Sequence, residues 1–507
     1  MPYIIGIDIG TSGTRSVLFD GTGTAIAAAT REYPLLQPHN GWAEQNPCDW
    51  WSAVIETLRE IMETSGVNPG DIASLGLSGQ MHGLVMLDKD GKVLRPAILW
   101  CDGRTADACR EVTQRVGAQR LMDITASPAL TGFTAGKIVW ARNQEPELYA
   151  KCRHILLPKD YIRYLLTGAL ATEVSDASGT QLLDIAARNY SDEVLRALDI
   201  DRALLPDVHE SPAITGRVSE TAAQLTGLPA GLPVAGGAGD CAASAVGVGA
   251  VRQGTFFTTI GTSGVVFAHT DAMHADPSGR VHTFCCAVPG AWHVMGVTQG
   301  AGLSLQWFRN QFGGDDLRDA DTIGIPVYRL YDDIAAAIPI GAERLLYLPY
   351  LMGERTPWLD PDARGVFFGL SAMHERKHLV RAVMEGVGYS MRQCVDILRG
   401  MDVPLNNGLI CGGGAKSPVW RQMLADLYGC TVSTVQGSES ATLGAAILGG
   451  VGVGLYPSVP DACDACIRLK DGYAPIEANH KAYEPYYERY TALYGVLKDE
   501  FKALAAL

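Results

Sequence analysis

The chain has 507 residues, of which 47% are hydrophobic and 19% charged, a globular composition long enough for two or more domains. Its formal net charge of −14 argues against nucleic acid or an anionic membrane as the main partner, because both need basic surfaces. The longest weakly charged stretches, 225–251 and 441–456, are interrupted by Gly and Pro, so no membrane-spanning segment is predicted.

The first predicted element is a strand that ends at an acid and a small-residue turn. Strand-like residues 3–7 lead to Asp8 and to a turn at 10–13, and a second strand-like run covers 17–19. Glycine and hydroxyl residues let backbone N–H groups converge on phosphate oxygens. A carboxylate beside such a turn suits Mg²⁺, although an Asp that only accepts from turn amides would have the same sequence.

Two segments have apolar residues at helical spacing, and we predict them to be core helices. The first follows Pro47, and its tryptophans are read as core residues rather than as ligand contacts. The apolar positions are Trp50, Trp51, Val54, Ile55, Leu58, Ile61 and Met62 in the first segment, and Leu379, Val383, Val387, Met391, Val395 and Leu398 in the second.

A single acid, Asp240, lies in a segment of small residues. It is the only charge between Glu220 and Arg252, and it follows a short strand and a glycine run at the start of an alanine-rich helix. A helix N-cap is one interpretation. The other is a general base that accepts the proton of an attacking hydroxyl in phosphoryl transfer.

The first turn recurs in the second half of the chain. Residues Ile9–Gly13 reappear as Ile260–Gly264, again between strand-like runs. One such turn is weak evidence, and two could arise by coincidence among glycine-rich hairpins. The pair favours a duplicated domain that holds a polyphosphate between its halves, and it favours the general-base interpretation of Asp240.

A glycine loop follows a predicted strand near the C-terminus. The strand covers 408–411, the loop 412–414, and the next helix is capped by Ser417, has Pro418 at its first position and ends at Gly429. A strand, a glycine loop and a helix suit a nucleotide. The spacing is not that of a P-loop, so no Walker mechanism is predicted.

The twelve cysteines show no disulfide framework. Cys463 and Cys466 form a single CxxC, which we interpret as two surface or half-buried thiols rather than a zinc site. Cys285 and Cys286 are interpreted as buried thiols in a strand. With no secretory signal before the first strand, the predicted compartment is the cytoplasm.

Together these motifs resemble those of the FGGY carbohydrate kinases, members of the actin-like ATPase superfamily, over nearly the whole chain. Residues 8–15 resemble the first phosphate motif, 261–263 the second, 412–415 the adenosine motif and 132–140 the family signature. The resemblance implies ATP as the phosphoryl donor. The nucleotide contacts that it implies are Gly10, Thr11, Ser12, Arg15, Gly261, Thr262, Gly302, Gln306, Gly413 and Gly414.

Residues 79–83 resemble the sugar-contacting motif of the xylulose kinases in this family. Segments 42–47, 98–104, 157–161 and 353–357 are also similar to that group. The expected acceptor is therefore D-xylulose, a small sugar. The sugar contacts that the resemblance implies are Gln80, Met81, His82, Asp240, Cys241 and Trp42.

Two positions depart from the xylulose kinase pattern. Asn is common where Cys241 and Cys101 stand, and Cys is a weak hydrogen-bond donor. The exact pentulose is therefore open. His82 would ordinarily be read as a buried structural histidine, and its motif favours a sugar contact instead.

The resemblance implies an α/β fold with two actin-like (ribonuclease H-like) ATPase domains, residues 1–246 and 247–507, separated by a deep cleft. The last helix, after about residue 478, is expected to pack back on the first domain. Asp240 would accept the proton of the sugar hydroxyl, Asp8 and Asp240 would be the residues at Mg²⁺, and the enzyme would be a homodimer.

Two alternatives remain at this point. The acceptor could be another ketose or polyol, such as ribulose, a deoxy sugar or a signalling furanone. The chain could also be an actin- or Hsp70-like ATPase switch. Asp240 in a glycine loop on the acceptor side, and the lack of a peptide-binding appendage in the sequence, argue against the switch.

Overall fold

The structure is a computed structural model that describes residues 2–437 and 439–507. The strands of the first half are β1 (Tyr3–Ile9), β2 (Gly13–Phe19), β3 (Ala25–Glu32), β4 (Glu44–Gln45), β5 (Ile72–Gly79), β6 (Val85–Leu87), β7 (Ala97–Ile98), β8 (His154–Leu156), β9 (Ala171–Glu173), β10 (Leu183–Asp184), β11 (Asn189–Tyr190), β12 (Asp207–His209), β13 (Ile214–Arg217), β14 (Pro233–Ala235) and β15 (Ala238–Gly239). Its helices are α1 (Pro47–Ser65), α2 (Ala106–Val116), α3 (Ala118–Thr125), α4 (Thr134–Gln144), α5 (Pro146–Tyr149), α6 (Pro158–Thr167), α7 (Val174–Ser178), α8 (Asp192–Ala197), α9 (Glu220–Thr226) and α10 (Asp240–Val248).

The main sheet of the first half brings three functional segments to one edge. Its order is β13-β14-β5-β1-β2-β3, with β15 also paired to β5. The predicted hairpin of β1 and β2 is present, and β1 runs parallel to β5 with Asp8 beside Ser78. Strand β15 is parallel to β5, with Gly239 beside Gly79. Because parallel strands end at the same edge, Asp8, the 79–83 motif and Asp240 come together there.

The second half contains the strands β16 (Gly254–Ile260), β17 (Gly264–Thr270), β18 (His282–Cys285), β19 (Trp292–Thr298), β20 (Leu346–Leu348), β21 (Val366–Phe368), β22 (Leu405–Cys411), β23 (Thr431–Val435) and β24 (Leu469–Tyr473). Its helices are α11 (Gly302–Phe312), α12 (Gly314–Ile323), α13 (Val327–Ala336), α14 (Arg376–Gly400), α15 (Pro418–Tyr428), α16 (Ser440–Gly452), α17 (Val459–Cys466) and α18 (Glu477–Ala505).

The main sheet of the second half repeats this arrangement. Its order is β18-β19-β17-β16-β22-β23-β24. Strands β16 and β17 form the second predicted hairpin. Strand β22 is parallel to β16 with Cys411 beside Thr259, so the second turn and the glycine loop lie at one edge. The Ser417 cap of α15 is confirmed, since its side chain accepts from the N–H of Trp420.

Both predicted core helices are confirmed as α1 and α14. In α1, Trp50 is fully buried and its Nε1 donates to Gln45 Oε1 at 3.0 Å, so this tryptophan is structural. Cys463 and Cys466 are free thiols on α17, and they are buried by packing in the core rather than at the surface or half-buried as predicted. Cys285 and Cys286 are buried and free. Among the described residues, no helix has both the length and the apolar character needed to cross a membrane.

Helix α16 joins the two halves, although it comes late in the chain. It packs on β1 and β5 of the first sheet and also against α10. The approach is close because the facing residues are glycines. A Cβ on Gly6 would lie 1.8 Å from the carbonyl oxygen of Thr442, and one on Gly247 would lie 1.8 Å from that of Ser440. The division at 246/247 stays a prediction, since packing crosses it.

Replacing Gly6 with Ala is expected to destabilise the protein by about 1–3 kcal/mol or more, because the new methyl group meets backbone rather than a mobile side chain. Urea unfolding of the apo protein measures the change. Gly495→Ala is the matched control, because Gly495 is an exposed position of α18 with no heavy atom within 4 Å of an added Cβ. Equal stability of Gly6→Ala and wild type would contradict the close packing of α16 on β1.

The predicted position of the last helix was wrong. Helix α18 packs on α14, α15 and β20 of the second half. Its tyrosines belong to the core of that half, where Tyr483 Oη accepts from Arg381 at 2.7 Å and Tyr487 Oη donates to Asp396 at 2.6 Å. An apolar face predicts that a helix is buried, but it does not identify the surface that covers it.

Candidate active site

The first turn is held from the first half by side-chain hydrogen bonds. Tyr33 Oη donates to the carbonyl of Gly10 at 2.5 Å, and Gln45 Nε2 donates to that of Thr11 at 2.7 Å. Trp100 Nε1 donates to Thr11 Oγ1 at 3.0 Å. The neighbouring Ser12 is exposed. The turn is therefore rigid before any phosphate binds, which lowers the entropic cost of binding.

Arg15, a predicted phosphate contact, is paired with a carboxylate of the other half. Its Nε and Nη2 both donate to Glu439 at 2.6 Å, and Nη1 donates to Thr30 Oγ1 at 2.7 Å. The residue thus links β2 to the start of α16. Its contact with nucleotide stays a prediction.

Asp8 and Asp240 are the two acids at the cleft edge of the first sheet. Asp8 Oδ1 accepts from Ser78 Oγ at 2.8 Å, and Asp240 Oδ1 accepts from the N–H of Cys241 at 2.7 Å. Burial raises the pKa of Asp8, and the hydrogen bond from Ser78 opposes it. Burial, and then the negative charge of Asp8, raise the pKa of Asp240 to about 7. An Asp with this pKa is well suited to accept a proton near neutral pH.

The same two carboxylates fit a magnesium ion that arrives with a nucleotide. Neither Asp8 nor Asp240 forms an ion pair with any described residue. Within residues 2–437 and 439–507, no cluster of three or more His, Cys, Asp or Glu side chains is arranged to hold a metal. Mg²⁺ commonly takes one or two carboxylates and completes its shell with water and phosphate. Two hard, half-buried oxygen donors without a counter-charge match that requirement.

Replacing Asp240 with Asn is expected to raise the Tm of the nucleotide-free protein at about pH 8. The folded-state pKa of about 7 lies above the ordinary value for Asp. The free energy of unfolding is therefore higher while the carboxyl is neutral, and it falls as the pH rises through about 7. Asn has no carboxyl to ionise, so the variant avoids this loss. Differential scanning fluorimetry across about pH 5 to 8 measures the effect. A Tm difference that does not grow with pH would contradict the raised pKa.

Met81 and His82 follow β5, and Met81 packs against the residue before Asp240. A Cβ on Gly239, the residue before Asp240, would lie 2.8 Å from Met81 Cγ. His82 has a φ of 68°, its Nδ1 lies 3.0 Å from the carbonyl of Gly179, and its ring packs on Phe133 at 4.9 Å. The backbone at His82 is thus in the left-handed region, where the turn fixes the direction of the side chain.

The hydrogen-bonding role of His82 follows from its surroundings. Burial, and then the charge of Lys137, lower the pKa of His82 well below its ordinary value, so the ring is neutral. Nδ1 faces a carbonyl and is assigned the proton, which leaves Nε2 as an acceptor. A neutral imidazole with a free acceptor atom suits a sugar hydroxyl.

Of the other predicted sugar contacts, two have protein partners and the third is a neutral thiol. Gln80 is fully buried, and its Nε2 donates to Gln45 Oε1 at 2.9 Å. The ring of Trp42 lies under the Arg104 guanidinium at 3.6 Å. Burial, and then the charge of Asp240, raise the pKa of the Cys241 thiol, which is therefore neutral. The sugar contacts of Gln80, Trp42 and Cys241 stay predictions.

The second turn is fixed to the start of α11. The N–H of Gly302 donates to the carbonyl of Gly261 at 2.7 Å, and that of Leu303 donates to the carbonyl of Thr262 at 3.2 Å. A Cβ on Gly302 would lie 2.4 Å from the Gly261 oxygen, so glycine is required there. Gln306 is exposed on the same helix. The structure thus brings Gly261, Thr262 and Gly302 together, and their contact with nucleotide stays a prediction.

The glycine loop lies against the second turn and borders a cavity. Gly414 packs on Ile260, where a Cβ would lie 2.5 Å from that side chain. The cavity has a volume of about 840 Å³ and is lined by Gly413, Glu439 and residues 22–25 of the first half. Gly302 and Gln306 do not line it.

Sequence reasoning gave no role to several residues that organise the site. Gln45 and Trp100 hold the first turn, Ser78 holds Asp8, and Lys137 Nζ donates to the carbonyls of His82 and Gly132 at 2.8 Å. Gln45, Trp100 and Lys137 lie inside segments that resembled the family. That resemblance was the available signal, but it did not show what each side chain contacts.

Comparison with known proteins gives a consistent result. The model of the FGGY family of carbohydrate kinases, N-terminal domain, matches residues 3–247, and that of the C-terminal domain matches 256–453. The chain is 38% identical over 504 residues to the xylulose kinase of Bacillus subtilis (strain 168), covering 99% of each chain. It is 38% identical to that of Escherichia coli (strain K12), over 97% of this chain and 99% of the other. The solved xylulose kinase from Rhodospirillum rubrum has a TM-score of 0.90 at 30% identity, covering 99% of this chain and 100% of the other.

Proposed function

The chain belongs to the FGGY family of carbohydrate kinases, and from this premise we propose that it transfers the γ-phosphoryl group of ATP to the terminal hydroxyl of D-xylulose. The predictions of family, of enzyme class and of a two-domain actin-like α/β fold are confirmed. D-xylulose is favoured by the full-length similarity to xylulose kinases and by Met81, which packs against the residue before Asp240.

One observation supports the chemistry most strongly: Asp240 stands at the start of α10, close enough to Asp8 for the charge of Asp8 to raise its pKa. In the proposed reaction the acceptor hydroxyl attacks the γ-phosphorus, its proton passes to the Asp240 carboxylate, and ADP leaves. With a pKa of about 7, a large fraction of Asp240 is ionised at neutral pH and able to accept that proton.

Other residues of the chain bind and orient the reactants. The turns at 10–13 and 261–264 present backbone N–H groups to the phosphates. His82 Nε2 accepts a hydrogen bond from a hydroxyl of the sugar, and Met81 forms the apolar wall next to Gly239. Asp8, together with Asp240, would hold Mg²⁺, which supplies positive charge to the transferring phosphoryl group when bound. Closure of the halves excludes water and so suppresses hydrolysis of ATP.

We also propose that the enzyme acts in the cytoplasm as a homodimer. Both parts rest on the family resemblance and, for the compartment, on the absence of a disulfide pattern among the cysteines.

A different ketose is the second candidate acceptor, because of one feature of the site. The neutral Cys241 thiol stands directly after Asp240, and a thiol is a poor donor to a sugar hydroxyl. A changed set of polar partners near the reacting hydroxyl alters which stereoisomer is matched best.

A coupled assay of ADP release with Mg-ATP tests these alternatives. The acceptors are D-xylulose, D-ribulose, L-ribulose, glycerol and no sugar. We expect the highest kcat/KM with D-xylulose. A higher kcat/KM with another acceptor would transfer the substrate assignment to that sugar, and ADP release that no sugar stimulates would favour a nucleotide switch.

A further inference from the structure

Arg355 has a guanidinium without a protein partner. The side chain is half-buried, and it forms neither a hydrogen bond nor an ion pair with any residue in the described part of the chain. A guanidinium carries five N–H donors and no acceptor, and in a half-buried position it loses part of its hydration without protein acceptors to replace it. Burial lowers the pKa of Arg355, which expresses the same loss of hydration.

The backbone on both sides of Arg355 is firmly held. The Glu354 carboxylate accepts from Thr298 Oγ1 at 2.6 Å and from the N–H of Arg355 itself at 2.8 Å. On the other side, the N–H of Thr356 donates to the carbonyl of Val297 at 2.9 Å. The loop therefore presents Arg355 from a fixed position next to the end of β19, and its lack of partners does not come from a loose loop.

Arg355 lies near residues of the first half that pack around the predicted sugar contact His82. A Cβ on Gly132 would lie 3.9 Å from Nη2 of Arg355. Next to Gly132, Phe133 packs on the ring of His82. Arg355 also contributes to the lowered pKa of His82, after burial, Lys137 and His282. It lines a cavity of about 610 Å³ together with Thr131 of the first half.

Two backbone oxygens near Arg355, those of His82 and Gly132, accept from Lys137 and not from Arg355. Lys137 Nζ donates to the carbonyls of both His82 and Gly132 at 2.8 Å. Within the described residues, the Arg355 guanidinium donates to no protein oxygen. A half-buried cation with unpaired donors is well placed to donate to oxygen acceptors of a ligand.

We propose that Arg355 is an acceptor-recognition residue supplied by the second half, and that it donates hydrogen bonds to a carbonyl or carboxylate oxygen at the end of the acceptor remote from the phosphorylated hydroxyl. This inference rests on the proposed sugar kinase function, because it assumes that Met81, His82 and Asp240 hold the acceptor on the first half. An acceptor that spans from His82 to Arg355 connects the two halves and couples its own binding to closure of the cleft.

The proposed contact also predicts a preference among acceptors. A carbonyl or carboxylate oxygen only accepts, and it matches the planar fork of a guanidinium. A hydroxyl at the same position offers a weaker match. The enzyme should therefore prefer a ketose to the polyol formed by reducing its carbonyl, and Arg355 should account for most of that preference.

The test compares wild type with Arg355→Met in steady-state kinetics. With D-xylulose as the acceptor, kcat/KM is expected to fall by about 10- to 100-fold in the variant. The fall should come mainly from a higher KM, because hydrogen bonds from a charged donor are lost. KM for ATP should change little. The preference for D-xylulose over xylitol should shrink in the variant.

Two further variants make the result interpretable. Arg364→Met is the matched control, because Arg364 is an exposed arginine nearby that donates only to the carbonyls of Pro361 and Ala363. Arg355→Lys keeps the charge without the fork, so a loss of about ten-fold is expected even if the Met variant fails to fold.

An unchanged kcat/KM for D-xylulose in Arg355→Lys and in a folded Arg355→Met would overturn the assignment. Equal increases in KM for ATP and in KM for the acceptor would also overturn it, since that pattern indicates a general effect on the cleft. A wild-type enzyme that phosphorylates none of the sugars would instead overturn the proposed function itself, and the inference with it.

Discussion

Replacing Asp240 with Asn is expected to lower kcat with D-xylulose by about 10²- to 10⁴-fold, because the variant cannot accept the proton of the attacking hydroxyl. The geometry is otherwise conserved, since the Asn side-chain oxygen can still accept from the N–H of Cys241, as Oδ1 does now at 2.7 Å. ATP binding should stay close to that of wild type. Single-turnover kinetics and calorimetric titration with ATP measure the two quantities separately.

The matched control for this variant is Asp192→Asn. Asp192 is also the first residue of a helix in the first half, α8, but it is exposed. It should leave kcat unchanged. A near-normal rate for Asp240→Asn would rule out Asp240 as the general base, and a loss of ATP binding in parallel with kcat would indicate a role in the nucleotide site.

Replacing Asp8 with Asn is expected to lower kcat/KM by about 10²- to 10³-fold and to shift the Mg²⁺ dependence of activity to higher concentration. The physical reason is that Asp8 provides a half-buried carboxylate without a protein counter-charge, which is the arrangement that a metal ion neutralises. Initial rates over a Mg²⁺ titration at saturating ATP and sugar measure both changes.

A milder variant tests the hydrogen bond from Ser78 to the Asp8 carboxylate separately from the carboxylate itself. Ser78→Ala removes the hydrogen bond to Asp8 Oδ1 and keeps the carboxylate, so a much smaller loss is expected. An unchanged Mg²⁺ requirement in Asp8→Asn would exclude this residue from the metal site.

Local features of the fold were predictable from the sequence because they depend on short-range chemistry. The small-residue turns at Gly10 and Gly261 interrupt apolar strands, and both hairpins are present. Asp240 opens α10, and Ser417 caps α15, as the helix signals indicated. In each case the residues that define the element lie within a few positions of one another.

Contacts between distant segments were not predictable in the same way. Arg15 pairs with Glu439, and Gly6 provides the space for Thr442, although more than 400 positions separate each pair. The tyrosines of α18 indicate a buried face, but only the packed structure shows that this face belongs to the second half. These features depend on tertiary packing, which a single sequence does not specify residue by residue.

The candidate site was predicted in its acids and turns more fully than in its supporting residues. The charge of Asp8 reaches Asp240, and Met81 packs against Gly239, while the roles of these residues stay predictions. Gln80, assigned to the sugar, is buried against Gln45. Motif resemblance identifies where a site is, but burial and hydrogen-bond partners decide what each side chain contacts.

The central claim is that the pair Asp8 and Asp240 directs the γ-phosphoryl group of ATP to a sugar hydroxyl rather than to water. Phosphorus NMR of a complete reaction with Mg-ATP and D-xylulose tests it directly. We expect a sugar phosphate at the terminal hydroxyl, formed in equal amount to ADP and strongly reduced in Asp240→Asn. Formation of ADP and inorganic phosphate without a sugar phosphate would contradict it.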